Sequence, residues 1–377
     1  MTDTTQTTTP APKAEVPEAP RGNQILREIF GGSAAISVFA VLLALIFGGI
    51  LIVLTDEAVA QASAYFFSRP LDTLQAAWDA VAGAYSALFR GSVFNYLRAE
   101  DFAVAIRPLT ETLANATPLI AAGLGVALAF RVGLFNIGGR GQMLIAAAAA
   151  GYVGAYIPMP PVLHLVVALI VGLIGGALWG GLVGLLKART GAHEVIVTIM
   201  LNYIAFYLVS FLLRTPGALQ APGQNNPKSG PMLESAQFPA LLGDQYNLNL
   251  GFILVIVATI YVWYLLNRSA MGFRFRAVGE SPHAARVAGI KVERVYVQVM
   301  LIAGALVGLA GVYQVLGNFT GGFAAGLDAG IGFDAITVAL LGRSKPVGVF
   351  FAGILFGALK AGSYTMQASE GIPVDIV

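Results

Sequence analysis

Nine apolar segments recur along the 377-residue chain, near 34–54, 109–130, 142–157, 162–186, 195–213, 248–266, 295–317, 333–342 and 347–366. Most approach the ~20 residues a helix needs to cross about 30 Å of hydrocarbon. The pattern predicts an all-α, polytopic transmembrane bundle of about 9–10 spans. The eighth segment is too short to cross alone, so it reads as a broken or tilted helix. The closing GIPVDIV stretch, 371–377, reads as the start of a tenth helix. Between the first two segments, Leu71, Leu74, Trp78, Val81, Tyr85 and Leu88 recur at helical spacing, with Asp72 and Asp79 between them. That fits either a helix on the membrane surface or one packed on the bundle. Residues 214–247 carry Pro216, Pro222, Pro227 and Pro231 and read as an ordered loop or lid without regular structure.

Composition agrees with lipid as the solvent. The chain is 57% hydrophobic and 11% charged, against about 25% charged in soluble domains. Residues 1–30 differ: the Thr-, Pro-, Ala- and Glu-rich start predicts a disordered cytoplasmic tail, followed by a membrane domain over 31–377. The net charge of +2 is too small to point to nucleic acid. With no cysteine, disulfides and thiolate metal sites are excluded, and His164, His193 and His283 make no ligand spacing.

Lys and Arg set the orientation. Segments 1–33, 131–141, 187–194, 267–294 and 343–346 hold 15 of the 22 basic residues. The alternate segments 55–105, 158–161, 214–247 and 318–332 hold 5. The first set, and with it the N-terminus, is expected on the cytoplasmic side.

Within the cytoplasmic loop 267–294, Ser281 before Pro282 is an N-cap with proline at the first helical position. Ala284, Ala285 and Ala288 continue a short helix and Gly289 can end it. Such a helix either docks into a groove of another protein or merely connects. The spans hold uncharged polar groups: Asn115, Thr117, Asn136, Gln142, Thr198, Asn202, Gln314 and Asn318. Each could bond between helices or face a water-filled route to a neutral, hydroxylated solute. Asn136 and Gln142 stand out because they flank Gly138, Gly139 and Gly141, a turn able to break a helix and aim a half-helix inward. Gly172, Gly175, Gly176, Gly180, Gly181 and Gly184, with Gly304, Gly308 and Gly311, read as close helix packing. Lys360 is expected to snorkel to the interface or to pair with a polar group such as Gln367.

Several of these stretches resemble the permeases of ATP-binding-cassette importers. Gly279-Glu280-Ser281-Pro282 with Ala284, Ala285 and Gly289 is similar to their coupling loop. FRVGLFNIGGRGQM over 130–143 is similar to the FNIGxxGQ signature of the sugar and nucleoside branch, which is of the branched-chain-amino-acid type. LKARTGAHEVIVTIMLNYIA over 186–205 resembles nucleoside members, and GFDAITVALLGR over 332–343 with Pro346, Gly348 and Gly353 also fits. The resemblance covers roughly 105–377. It departs at Arg140, where the family usually has an acidic residue.

The resemblance implies a type II importer fold in the bacterial plasma (inner) membrane. It implies a cytoplasmic ATPase meeting Gly279, Glu280, Ser281, Ala284, Ala285 and Gly289. It further implies a second permease subunit, homologous or identical, and an extracytoplasmic substrate-binding protein. ATP and magnesium would sit on the partner, so this chain is expected to need no cofactor and to catalyse no reaction. No Gly-Lys pair exists to build a phosphate loop. Nucleosides are the expected solute, with simple, ribose-like sugars next. Asn136, Gln142, Asn202 and Asn318 are the expected pathway residues. An ion-coupled transporter would place ionisable groups mid-span, whereas Glu111, Glu194 and Asp334 fall near expected span ends. A structural or receptor-like membrane protein would leave the polar spans without use.

Overall fold

A computed structural model describes residues 33–243 and 245–374. The expected tail and the last three residues of the expected tenth helix lie outside the described residues. The chain divides into two units, Met1–Gly49 and Ile50–Val377. Of the first, residues 33–49 are described, and they belong to the apolar helix α1 (Ser33–Thr55). The second unit carries every element considered below.

Each of the nine apolar segments is a helix. After α1 come α2 (Glu57–Ser63), α3 (Pro70–Ser92), α4 (Phe102–Ala105), α5 (Arg107–Phe130), α6 (Gly139–Tyr156), α7 (Pro161–Thr190) and α8 (Glu194–Leu212). Then follow α9 (Leu250–Arg268), α10 (Ala270–Glu280), α11 (Pro282–Val287), α12 (Val292–Tyr313), α13 (Ile331–Leu341) and α14 (Pro346–Glu370). Among the described residues, seven helical stretches are long and apolar enough to cross a membrane. The expected short eighth segment is α13, with 11 residues.

Small residues decide the packing. α5 is buried along most of its length because its Ala and Gly positions admit three neighbours. A Cβ on Gly125 would meet the Ala303 carbonyl of α12, one on Gly123 the Val338 side chain of α13, and one on Gly357 of α14 the backbone of Thr112 and Ala116. The expected glycine packing is also present. α7 and α12 touch backbone to backbone, Gly176 against Gly304 and Gly308, Gly180 against Met300 and Gly304, and Gly184 against Tyr296 and Val297. Gly311 faces Met143 of α6 instead.

α3 packs its C-terminal half on α14, with Gly91 against Thr365 and Gly362 against Leu88, while Leu71, Leu74 and Trp78 remain exposed. The 214–247 loop is ordered without regular strands. It buries Leu219, Met232, Ala236 and Phe238. Its backbone bonds to 316–323 through Phe238 N to Leu316 O (2.9 Å), Met232 N to Thr320 O (2.7 Å) and Ser229 N to Phe323 O (2.9 Å).

Three of the basic segments gather together. Arg131 Nε donates to Ser344 O at 3.0 Å, and Gly279 rests on the Arg131 carbonyl. Thus Arg131, Gly279 and Ser344 bring the start of 131–141 together with 267–294 and 343–346. The loop at 214–247 meets 316–323, and Asn247 Nδ2 donates to Glu111 Oε1 at 2.7 Å.

Candidate functional site

Between α5 and α6 the chain runs through residues 131–138 without regular structure. Irregular backbone at membrane depth must be covered and bonded. Three amides supply those bonds. Asn202 of α8 accepts from Gly141 N at 2.8 Å through Oδ1 and donates to Ile137 O at 2.9 Å through Nδ2. Asn136 Oδ1 accepts from Gly138 N at 3.0 Å and from Gln142 Nε2 at 3.2 Å. Asn136 Nδ2 donates to Gln142 Oε1 at 3.3 Å. All three side chains are buried. In this conformation Asn136, Gln142 and Asn202, expected to line the route, are buried and bonded to the turn. An amide carries donor and acceptor on one planar group, which is what a turn with both orphan N–H and C=O groups requires.

The other polar span residues act more locally. Asn115, Thr117 and Thr198 bond to carbonyls of their own helices. Gln314 and Asn318 bond to each other at 2.6 Å within a π-helical turn, Gln314–Asn318. Of the four expected pathway residues, Asn318 alone is exposed.

Two helix starts meet beside the amide network. α13 is 11 residues long, about 16 Å at 1.5 Å per residue, or half the hydrocarbon thickness. Its end leads into Arg343 and Lys345 at the basic face, so its start lies near mid-membrane. That start is a left-handed turn, Ala329 at φ 42° and Gly330 at φ 81°. Gly332 abuts Gly139, so closely that a Cβ on Gly332 would land on the backbone of Arg140. The starts of α6 and α13 therefore share one level.

Four charged groups surround this junction. Arg140 Nε donates to Asp328 Oδ1 at 3.2 Å, and its guanidinium carbon lies 4.7 Å from the Phe206 ring centroid. Lys360 Nζ donates to Asp334 Oδ2 at 2.8 Å. The Lys360 and Asp334 side chains keep 34% and 37% of their surface exposed. Asp334 lies in the first turn of α13, near a helix end as expected, although that helix has only 11 residues. Lys360 pairs with Asp334 rather than with Gln367. Charges half-open to hydrocarbon would be costly, so this face must meet water or protein. The charges cancel in pairs. Asp328 carried no signal in its own neighbourhood, while the short eighth segment and the lysine inside an apolar segment did mark this region.

On the basic face, α10 and α11 form a small helical platform. Ser281 caps α11 as expected, its Oγ accepting from Ala284 N at 3.2 Å, and Gly289 closes it at φ 82°. Two expected coupling residues turn inward. Ala285 packs in the chain's own core, and Gly279 is pressed on Arg131. Glu280, His283, Ala284 and Gly289 face outward. Val287 is 91% exposed, and the sequence reading did not single it out.

A helical membrane bundle with an irregular turn, two converging helix starts and a charge-neutral polar cluster beside them defines a multi-pass permease. Residues 109–374 match the family described as branched-chain amino acid transport system / permease component, and the chain belongs to that family. It is 41% identical over 301 residues to the guanosine ABC transporter permease protein of Bacillus subtilis, covering 79% of this chain and 82% of that one. A nucleoside ABC transporter permease protein of Lactococcus lactis is 34% identical, over 72% of this chain and 76% of its own. A glucose ABC transporter permease protein of Haloferax volcanii is also 34% identical, over 71% and 72%. No solved structure matches the chain.

Proposed function

We propose that this chain is the translocation subunit of an ATP-driven nucleoside importer. The observation that carries this reading is the net-neutral cluster of Arg140, Asp328, Asp334 and Lys360 where the starts of α6 and α13 meet. It offers a polar passage at mid-depth without a net charge that would hold an ion. The likeness to guanosine and nucleoside permeases supports nucleosides as the solute. The glucose relative supports a simple sugar as the second reading.

The amide network of Asn136, Gln142 and Asn202 shapes the passage, and Asn318 meets the solute directly at the face opposite the basic one. A cytoplasmic ATPase, holding ATP and magnesium, docks on α11 through Glu280, Ala284, Val287 and Gly289. A second permease subunit completes the passage, and an extracytoplasmic binding protein delivers the solute. The N-terminus and the basic face are cytoplasmic. ATP-driven uptake in vesicles carrying the assembled transporter tests the solute. Labelled nucleosides should accumulate, and unlabelled glucose should fail to compete. Glucose accumulation that nucleosides do not inhibit would overturn the nucleoside reading in favour of the sugar.

A further inference from the structure

Arginine carries five N–H donors in a planar fork and no acceptor. At Arg140, Nε is engaged by Asp328 Oδ1 and one face lies over Phe206. Among the described residues, no acceptor is bonded to either terminal nitrogen. The side chain is 29% exposed, while that of Asp328 is 6% exposed. Asp328 and Phe206 together fix the plane of the guanidinium and leave its two terminal nitrogens unengaged beside the meeting of the α6 and α13 starts. An oriented, donor-only edge in a partly dry setting calls for two adjacent acceptors. Because Asp328 and Asp334 cancel Arg140 and Lys360, the complement is a neutral solute.

Resting on the nucleoside reading above, we propose that Arg140 selects 6-oxopurine nucleosides by taking O6 and N7 of the base on its terminal nitrogens. Guanosine and inosine present those two acceptors side by side, the pairing an arginine fork makes most often with a base. Adenosine presents N7 beside an amino donor, which meets a donor with a donor. Cytidine holds an acceptor pair at N3 and O2, but O2 lies against the ribose. Phe206 keeps the guanidinium flat for this approach, as aromatic faces do for arginine.

The test compares the assembled transporter, with its ATPase, second permease and binding protein, in proteoliposomes carrying wild-type chain, Arg140→Met or Arg140→Lys. Initial uptake of guanosine, inosine, adenosine and cytidine is measured for each. The binding protein is common to all arms, so a change in the ratio between nucleosides belongs to the permease. Arg140→Met should cut the guanosine-to-adenosine ratio on the order of ten- to a hundredfold, with cytidine uptake retained. Arg140→Lys keeps a cation beside Asp328 but lacks the fork, and it should lose the same preference even where Arg140→Met assembles poorly. An unchanged ratio in Arg140→Lys would overturn the proposal. Equal loss for every nucleoside would also overturn it, since Arg140 would then only hold the Asp328 segment in place. If the wild-type transporter takes up no nucleoside, the nucleoside reading falls and this one with it.

Discussion

Lys360 and Asp334 join the fifteenth residue of α14 to the first turn of α13 through a 2.8 Å ion pair. The acidic partner sits where the helix dipole favours it. Replacing Lys360 by Met leaves that carboxylate alone at mid-depth. Breaking a fully buried pair costs about 3–5 kcal/mol. With a third of each side chain exposed, the loss here should be about 1–2 kcal/mol. Thermal unfolding in detergent should show a lower Tm for Lys360→Met. Lys360→Met with Asp334→Leu should recover most of the loss, and failure to recover would mean that the pair is not coupled.

Asn202→Leu should lower stability and transport together. The change leaves Gly141 N–H and Ile137 C=O without partners, at about 1–3 kcal/mol for each unsatisfied group. A residue that only touched solute would lose uptake at unchanged Tm. Uptake and unfolding measured on the same preparation separate the two roles.

Val287→Asp and Ala285→Asp should fail in different ways. Val287 projects from α11, whereas Ala285 is 3% exposed in the core. Val287→Asp should keep a normal Tm yet lose co-purifying ATPase and its stimulated hydrolysis. Ala285→Asp should lower the yield of folded protein before any question of assembly arises.

Sidedness is testable without background because the chain has no cysteine. Cysteines at Ser281 and Asn225 should react with a membrane-impermeant maleimide from opposite sides, Ser281 only in inverted vesicles. Reaction of both in intact cells contradicts a cytoplasmic basic face.

The helices were legible in the sequence because each is a continuous apolar segment, whether it faces outward or, like α5, is buried within the bundle. α10 escaped notice: Phe275 and Val278 face inward among three basic or acidic neighbours, and its cap, Ser269 Oγ accepting from Gly272 N at 2.9 Å, gives only a weak local signal. The site was half legible. Asn136, Gln142 and Asn202 stood out as amides in apolar surroundings, but their partners could not be read, because Asn202 meets Gly141 across 61 positions. Arg140 and Asp328 are 188 positions apart. Such pairings follow from how α6, α8 and α13 converge, and periodicity along one helix carries no record of that.

The seam between α7 and α12 has a mechanical consequence. Where Gly176 and Gly180 lie on the main chain of Gly304 and Met300, no side chains can turn aside to let one helix slide past the other. The two should travel as one strut during a transport cycle. Amide hydrogen exchange on the assembled transporter, with and without ATP, would register this as protection that stays constant along the strut and changes around it.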